Sequence, residues 1–152
     1  MNTIAALLDE IRAVSLEKEI ILVDDFSTDG SRQFLKEKFA NGLGDVKVLY
    51  HDKNRGKGDA IKTALRYATG DYAIIQDADL EYDPQEYRLL LDAAAREKAD
   101  AVYGSRFKTS RKATSFWHFL VNRFLTDVTN ILFRAKLTDM ETCYKMIKTD
   151  VF

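Results

Sequence analysis

A chain of 152 residues with 46 % apolar and 31 % charged side chains can bury one ordinary core, which excludes a disordered or low-complexity protein. The formal net charge of −1 supplies no general attraction for nucleic acid, so no nucleic-acid partner is expected. The single cysteine, Cys143, rules out an internal disulfide, and two histidines are too few for a zinc cluster. With no signal peptide and no uncharged apolar run of ~18 residues, a cytoplasmic chain is the expectation.

Taken in order, Ile4, Leu7, Leu8, Ile11 and Val14 recur at helical spacing and predict an amphipathic helix over Thr3 to Val14. Ile20 to Val23 predicts a buried strand that ends in Asp24-Asp25, followed by the turn-rich Phe26-Ser27-Thr28-Asp29-Gly30. A helix with Phe34, Leu35 and Phe39 inward should close near Asn41-Gly42, and Val46 to Tyr50 is the next strand. The polar loop His51 to Asp59 leads into a helix with Ala60, Ile61, Ala64, Leu65 and Ala68 on one face, with Gly70 as its C-terminal glycine. Tyr72 to Ile75 predicts a strand, Asp83-Pro84-Gln85-Glu86 a capping box, and the following helix runs through Leu89-Leu90-Leu91 to about Glu97. Ala101 to Tyr103 reads as the last short strand.

Strands alternating with helices predict an α/β fold with a mostly parallel sheet, whose ligands sit beyond the carboxyl ends of the strands. Asp24-Asp25, Asp77-Asp79 and Arg106 all fall at such ends. On a strand residues i and i+2 point to the same face, so Asp77 and Asp79, at the end of that strand, are expected to start out aimed together. Two converging carboxylates are relieved by a divalent cation with oxygen ligands, and Mg2+ or Mn2+ in such a setting draws further ligands from water and substrate phosphate. D-x-D alone is short and recurs by accident, and aspartates after a strand are also ordinary turn residues.

From Ser105 to Lys136 the chain has seven basic residues and one acidic residue, a net +6 inside a chain of −1. The same segment places Phe116, Trp117, Leu120, Val121, Phe124, Leu125, Val128, Ile131 and Leu132 at helical spacing. Such a helix either buries its apolar stripe and leaves a solvated rim or lies at a membrane surface.

Three further strings make the pattern specific. Glu19 to Ser31 (EIILVDDFSTDGS), Asn54 to Ala60 (NRGKGDA) and Asp77 to Pro84 (DADLEYDP) resemble the nucleotide-contacting segments of family 2 glycosyltransferases. Within that family the chain looks like the dolichyl-phosphate mannose synthase and polyprenyl-phosphate glycosyltransferase group, with Gly104-Ser105-Arg106-Phe107, Asn122-Arg123 and Thr138-Asp139 also in matching places. The resemblance covers roughly Thr3 to Phe152 and implies a GT-A, Rossmann-like fold in one domain over residues 1–152. It implies a nucleotide-sugar site, for a GDP- or UDP-sugar, that includes Asp24, Asp25, Lys57, Asp77, Ala78 and Asp79, with Asp25 at the base. It implies Mg2+ or Mn2+ on Asp77, Asp79 and Glu81, and Asp79 and Asp139 as catalytic candidates. Arg106 and Arg123 would bind the phosphate of a lipid-phosphate acceptor, with residues 105–136 facing the acceptor or touching the inner face of a membrane peripherally. Relatives open with a strand and a Pro-x-Tyr-Asn-Glu-like loop upstream of the equivalent of Met1, so the sheet is expected to be incomplete at its N-terminus and open to pairing with a second copy.

Two other expectations compete with sugar transfer to a lipid phosphate. A polysaccharide acceptor would turn Asp139 into a general base, and a catalytically inactive nucleotide-binding or interaction module would use the same strand ends without turnover. A dinucleotide-binding oxidoreductase is disfavoured, because no G-x-G-x-x-G follows a strand.

Overall fold

The computed structural model describes residues 2–39, 45–80, 82–105 and 116–151. Glu81, Arg106 and the expected helix end at Asn41-Gly42 therefore lie outside the described residues. The chain divides into two compact units, the first comprising residues 1–73, 78–85 and 148–152, the second residues 74–77 and 86–147.

In the first unit, helix α1 (Asn2–Ala13) is followed by β1 (Ile20–Asp24), α2 (Ser31–Lys38), β2 (Val46–Tyr50) and α3 (Lys57–Leu65). β1 and β2 pair in parallel, with Ile20 opposite Val46 and Asp24 opposite Tyr50. The helical spacing of α1 is realised in the burial of Leu7, Leu8, Ile11 and Val14. Leu8, Leu35, Phe39 and Val46 form the centre of this core, with Ile4, Ile20, Leu22, Phe34, Val48 and Tyr50 packed around it. Helix α3 departs from expectation. It ends at Leu65, it buries no residue completely, and Gly70 does not cap it. The Gly70 amide instead donates to Glu19 Oε1 at 3.0 Å, and its carbonyl accepts from the Thr149 hydroxyl at 2.6 Å. Burial alone would push the Glu19 carboxyl up, but donors from Thr69 and Gly70 outweigh it and hold the group below its ordinary range.

β3 (Tyr72–Ile74) stops three residues before Asp77, and residues 78 and 79 lie in a turn. The strand alternation expected to aim Asp77 and Asp79 together therefore does not reach them. The turn is marked by Leu80 at φ 59°, and Asp83 Oδ1 then accepts the Gln85 amide at 2.9 Å. Pro84 opens a 3-10 turn (Pro84–Glu86), so the α-helix itself, α4 (Tyr87–Glu97), starts later than the capping-box reading. Lys98, at φ 49°, ends α4 with its amide on the carbonyls of Ala94 and Ala95.

The second unit holds α4, β4 (Ala101–Tyr103), α5 (Phe116–Phe133) and most of β5 (Lys145–Lys148). β5 corrects the expectation that Ala101–Tyr103 is the last strand. It is the middle strand of a sheet in the order β3-β5-β4 and runs antiparallel to β4. Tyr87, Leu90, Ala94, Tyr144 and Met146 are buried here, and the Tyr87 and Tyr144 rings meet at 5.9 Å. Gly104 permits this packing, since a Cβ at that position would sit 3.0 Å from Tyr144 Cβ.

Helix α5 is attached by its polar side. Asn122 and Thr126 are buried, whereas Trp117 is 69 %, Phe124 66 % and Ile131 78 % exposed. Thr126 Oγ1 donates to Asn122 Oδ1 at 3.1 Å and accepts the Met140 amide at 3.1 Å, and Asn122 Nδ2 donates to Asp139 Oδ1 at 3.1 Å. One turn on, the Asn130 side-chain amide donates to the Leu137 carbonyl at 2.9 Å and accepts the Leu137 N–H at 2.8 Å. The alternative of an apolar stripe buried in the core is not realised.

Two glycines separated by one residue should respond oppositely to a methyl group. Gly56 adopts φ 84°, ψ 161°, a conformation open essentially to glycine alone, so Gly56→Ala should lower stability by about 1–3 kcal/mol. Gly58 lies within α3 with nothing within 4 Å of an added Cβ, so Gly58→Ala should raise stability by about 0.5–1 kcal/mol. Denaturant titration of both variants against the wild type measures the two signs.

Candidate active site

At the end of β1, two adjacent carboxylates take different roles: Asp24, the last residue of the strand, is buried, and Asp25, just beyond it, is half-buried. Asp24 is 4 % exposed. Its Oδ2 accepts from Arg32 Nε at 2.6 Å, and its Oδ1 accepts the Ser27 amide at 3.3 Å. Arg32 also donates through Nη2 to the His51 carbonyl, and its guanidinium lies 5.3 Å from the Phe26 ring centre and 5.5 Å from that of Tyr50. A buried carboxylate with a planar, permanently charged partner ties the end of β1 to the end of β2. Arg32 was not singled out from the sequence. The available signal was a basic residue in the first turn of the helix that follows an acidic strand end.

Asp25 is turned toward the loop that leads into α3. Its Oδ1 accepts the Arg55 amide at 2.8 Å and meets His51 Nδ1 at 2.7 Å, and its Oδ2 accepts the Gly56 amide at 2.7 Å. His51 is 5 % exposed, and its Nε2 lies 2.9 Å from Thr63 Oγ1 on α3. The His51 bond is the largest of the influences that hold the Asp25 carboxyl below its ordinary value of 3.8, followed by the Arg55 amide. A carboxyl held low in the folded state stabilises the loop at neutral pH, and that contribution is lost as the pH falls through the lowered value. Lys57, the first residue of α3, is exposed immediately beyond this loop.

The remaining candidates are distributed as follows. Asp77 is half-buried, while Ala78 and Asp79 are exposed. Among the described residues no group of three or more His, Cys, Asp or Glu side chains stands ready to hold a metal ion. Both Asp77 and Asp79 reach solvent, however, and a hard divalent ion needs only one or two carboxylates when water and phosphate oxygens complete its shell. An aspartate carboxylate is a hard oxygen donor of the kind such an ion takes. Arg123 is exposed on α5 and pairs with Asp127 at 3.0 Å, an (i, i+4) surface pair of small energetic weight. Asp139, at 1 % exposure, lies beneath α5 against Asn122.

The family model for glycosyl transferase family 2 matches residues 2–152. The chain is 37 % identical over 84 residues to an undecaprenyl-phosphate 4-deoxy-4-formamido-L-arabinose transferase of Pseudomonas fluorescens (strain SBW25), covering 55 % of this chain and 25 % of that protein. It is 32 % identical over 104 residues to a dolichol-phosphate mannosyltransferase of Pyrococcus furiosus, covering 68 % and 28 % respectively. The chain thus spans about a quarter of the length of these curated relatives. Among solved structures, the mannosyltransferase PcManGT of Pyrobaculum calidifontis, in complex with GDP-Man and Mn2+, superposes with a TM-score of 0.58 at 28 % identity over 68 % of this chain and 32 % of that one. S. aureus TarS 1-349 superposes with a TM-score of 0.59 over 98 % of this chain and 44 % of that one, at 23 % identity, a likeness of fold alone. With one family model matched over residues 2–152 and a fold shared with both solved neighbours, the chain belongs to glycosyl transferase family 2 and has the GT-A fold.

Proposed function

We propose that the chain transfers a sugar, with inversion, from a GDP- or UDP-sugar to a polyprenyl phosphate. Family membership supports the reaction class, and the two relatives named for undecaprenyl-phosphate and dolichol-phosphate support the acceptor. The observation that carries the acceptor reading is the outward apolar face of α5. Trp117, Val121, Phe124 and Ile131 recur at i, i+4, i+7 and i+14, with the half-buried Val128 between the last two, opposite the buried Asn122 and Thr126, within a segment of net charge +6. An apolar stripe flanked by cations matches an anionic lipid surface, and among the described residues no helix is long and apolar enough to cross a membrane. Residues 105–136 would then lie against the cytoplasmic face of a membrane, with Arg106 and Arg123 binding the acceptor phosphate.

In this reading Asp25 accepts a hydrogen bond from the nucleotide base, and Lys57 faces the diphosphate. Asp77 and Asp79 take a divalent ion, Mg2+ or Mn2+, a choice supported by the Mn2+ and GDP-Man complex of PcManGT. When bound, such an ion neutralises the charge that develops on the departing nucleoside diphosphate. An acceptor phosphate is already a competent nucleophile near neutral pH, so the transfer needs no strong general base. The 1 % exposure of Asp139 and its bond to Asn122 favour a role in holding α5 in place.

Replacing either Asp77 or Asp79 by Asn should abolish Mn2+-dependent binding of UDP or GDP while leaving the melting temperature within a few degrees of wild type. Calorimetric titration with and without Mn2+ decides this, and unchanged metal dependence in both variants refutes the metal assignment.

Anionic vesicles should sediment the protein and neutral vesicles should not, since each basic residue near such a surface contributes roughly 1 kcal/mol. Phe124→Glu combined with Ile131→Glu should cut the bound fraction about tenfold. Both side chains are exposed, so folding should persist. Absence of binding to anionic vesicles at low salt would overturn the membrane reading.

A further inference from the structure

His51 is almost completely buried, yet both of its ring nitrogens have polar partners. Its two ring nitrogens face two different polar partners on two different elements, Asp25 at the end of β1 and Thr63 in the second turn of α3. Its backbone is fixed as well, with the amide on the Asp24 carbonyl at 3.0 Å and the carbonyl taken by Arg32. An ionised carboxylate can only accept, so the nitrogen facing Asp25 must carry the proton. In the neutral ring Nε2 is then an acceptor, and the Thr63 hydroxyl is the donor that fixes the tautomer.

The effect on Asp25 can be counted. An ionised carboxylate offers about four acceptor positions. His51 and the Arg55 amide occupy Oδ1, and the Gly56 amide occupies one position on Oδ2. Among the described residues one position on Oδ2 remains without a donor, on a side chain that keeps 19 % of its surface exposed. A carboxylate held at three points cannot rotate about its terminal bond, so the remaining acceptor has a fixed direction. A ligand N–H then meets a preorganised partner and avoids the ordering cost of a free side chain.

We propose that His51 is a positioning residue for nucleotide binding: anchored by Thr63, it holds Asp25 so that a single acceptor position is presented to an N–H of the nucleotide base. The proposal rests on the reading of Asp25 as the base contact and adds to it a residue that touches no ligand itself.

Replacement of His51 by Asn and by Gln separates the two ends of the ring. In His51→Asn the side-chain amide nitrogen occupies the place of Nδ1 and keeps the Asp25 bond. In His51→Gln the longer side chain carries its amide to the place of Nε2, and the Asp25 bond is lost. UDP and GDP are titrated with Mn2+ into the 152-residue wild type, Asp25→Ala, His51→Asn, His51→Gln, Thr63→Val and Thr63→Ser, with a melting temperature recorded for each. Expected are a roughly tenfold loss of affinity for His51→Gln and near-wild-type affinity for His51→Asn, although both replace a buried ring by a smaller amide. Thr63→Val should weaken binding several-fold and Thr63→Ser should restore it, which keeps the test alive should His51→Gln fail to fold. A residue that only fills space would give equal losses for Asn and Gln, and no difference between Val and Ser, with affinity following melting temperature. That pattern overturns the positioning role. If Asp25→Ala leaves affinity unchanged, the base-contact reading falls and this proposal with it. If Asp25→Ala weakens binding while His51→Gln and Thr63→Val do not, only the positioning role falls.

Discussion

Two consecutive carboxylates at the end of a parallel strand impose the constraint on which the nucleotide side of this protein depends. The strand ends between them, and neither can remain unpartnered beside a packed core. The inward one, Asp24, is matched by Arg32, and that guanidinium then reaches the carbonyl of His51. The outward one, Asp25, gathers the loop after β2 around itself through two backbone amides and an imidazole. Through Arg32, Asp24 thus fixes the carbonyl of His51, and Asp25 fixes the His51 ring and the amides of Arg55 and Gly56. The conformation of Gly56, closed to other residues, is what lets its amide point back at Asp25.

The second unit solves a different problem with the same means. An amphipathic helix normally buries its apolar face, but α5 buries Asn122 and Thr126 and is held by hydrogen bonds to residues 137–140. The paired bonds between Asn130 and the backbone of Leu137 imitate one rung of a sheet ladder, a side-chain amide standing in for a peptide. Such attachment has a directional character that apolar packing lacks, because each bond fixes the rotation of the helix about its own axis. The apolar stripe is thereby presented outward in a defined orientation.

How much of this was legible in the sequence follows from what each residue depends on. The strands Ile20–Asp24 and Val46–Tyr50 and the helix ending at Glu97 were readable, since continuous β-branched runs and 3.6-residue spacing are local signals. β5 was not, because Lys145-Met146-Ile147-Lys148 is short and charged at both ends, and its pairing with β4 is formed across more than forty residues of chain. The end of β3 at Ile74 was hidden too, since the apolar run continues to Ile75 with nothing local to stop it. Asp24 and Asp25 were recognisable as a pair, but which of them stays accessible depends on strand register. The roles of Arg32, His51 and Thr63 depend on contacts eight to twenty-six residues apart, beyond the reach of periodicity. For α5 the pattern gave an amphipathic helix correctly but not its sense, because the same stripe serves equally a helix facing inward or outward.

The orientation of α5 has an optical consequence. The chain contains a single tryptophan, and it lies on the outward stripe of that helix, 69 % exposed. Indole emission shifts to shorter wavelength when the ring leaves water, so the tryptophan emission of this protein, excited beyond the tyrosine band, reports on one helical face and hardly at all on the core. Titrating nucleotide and titrating lipid are thereby separable in one cuvette, since a change at the end of β1 has no tryptophan of its own to disturb.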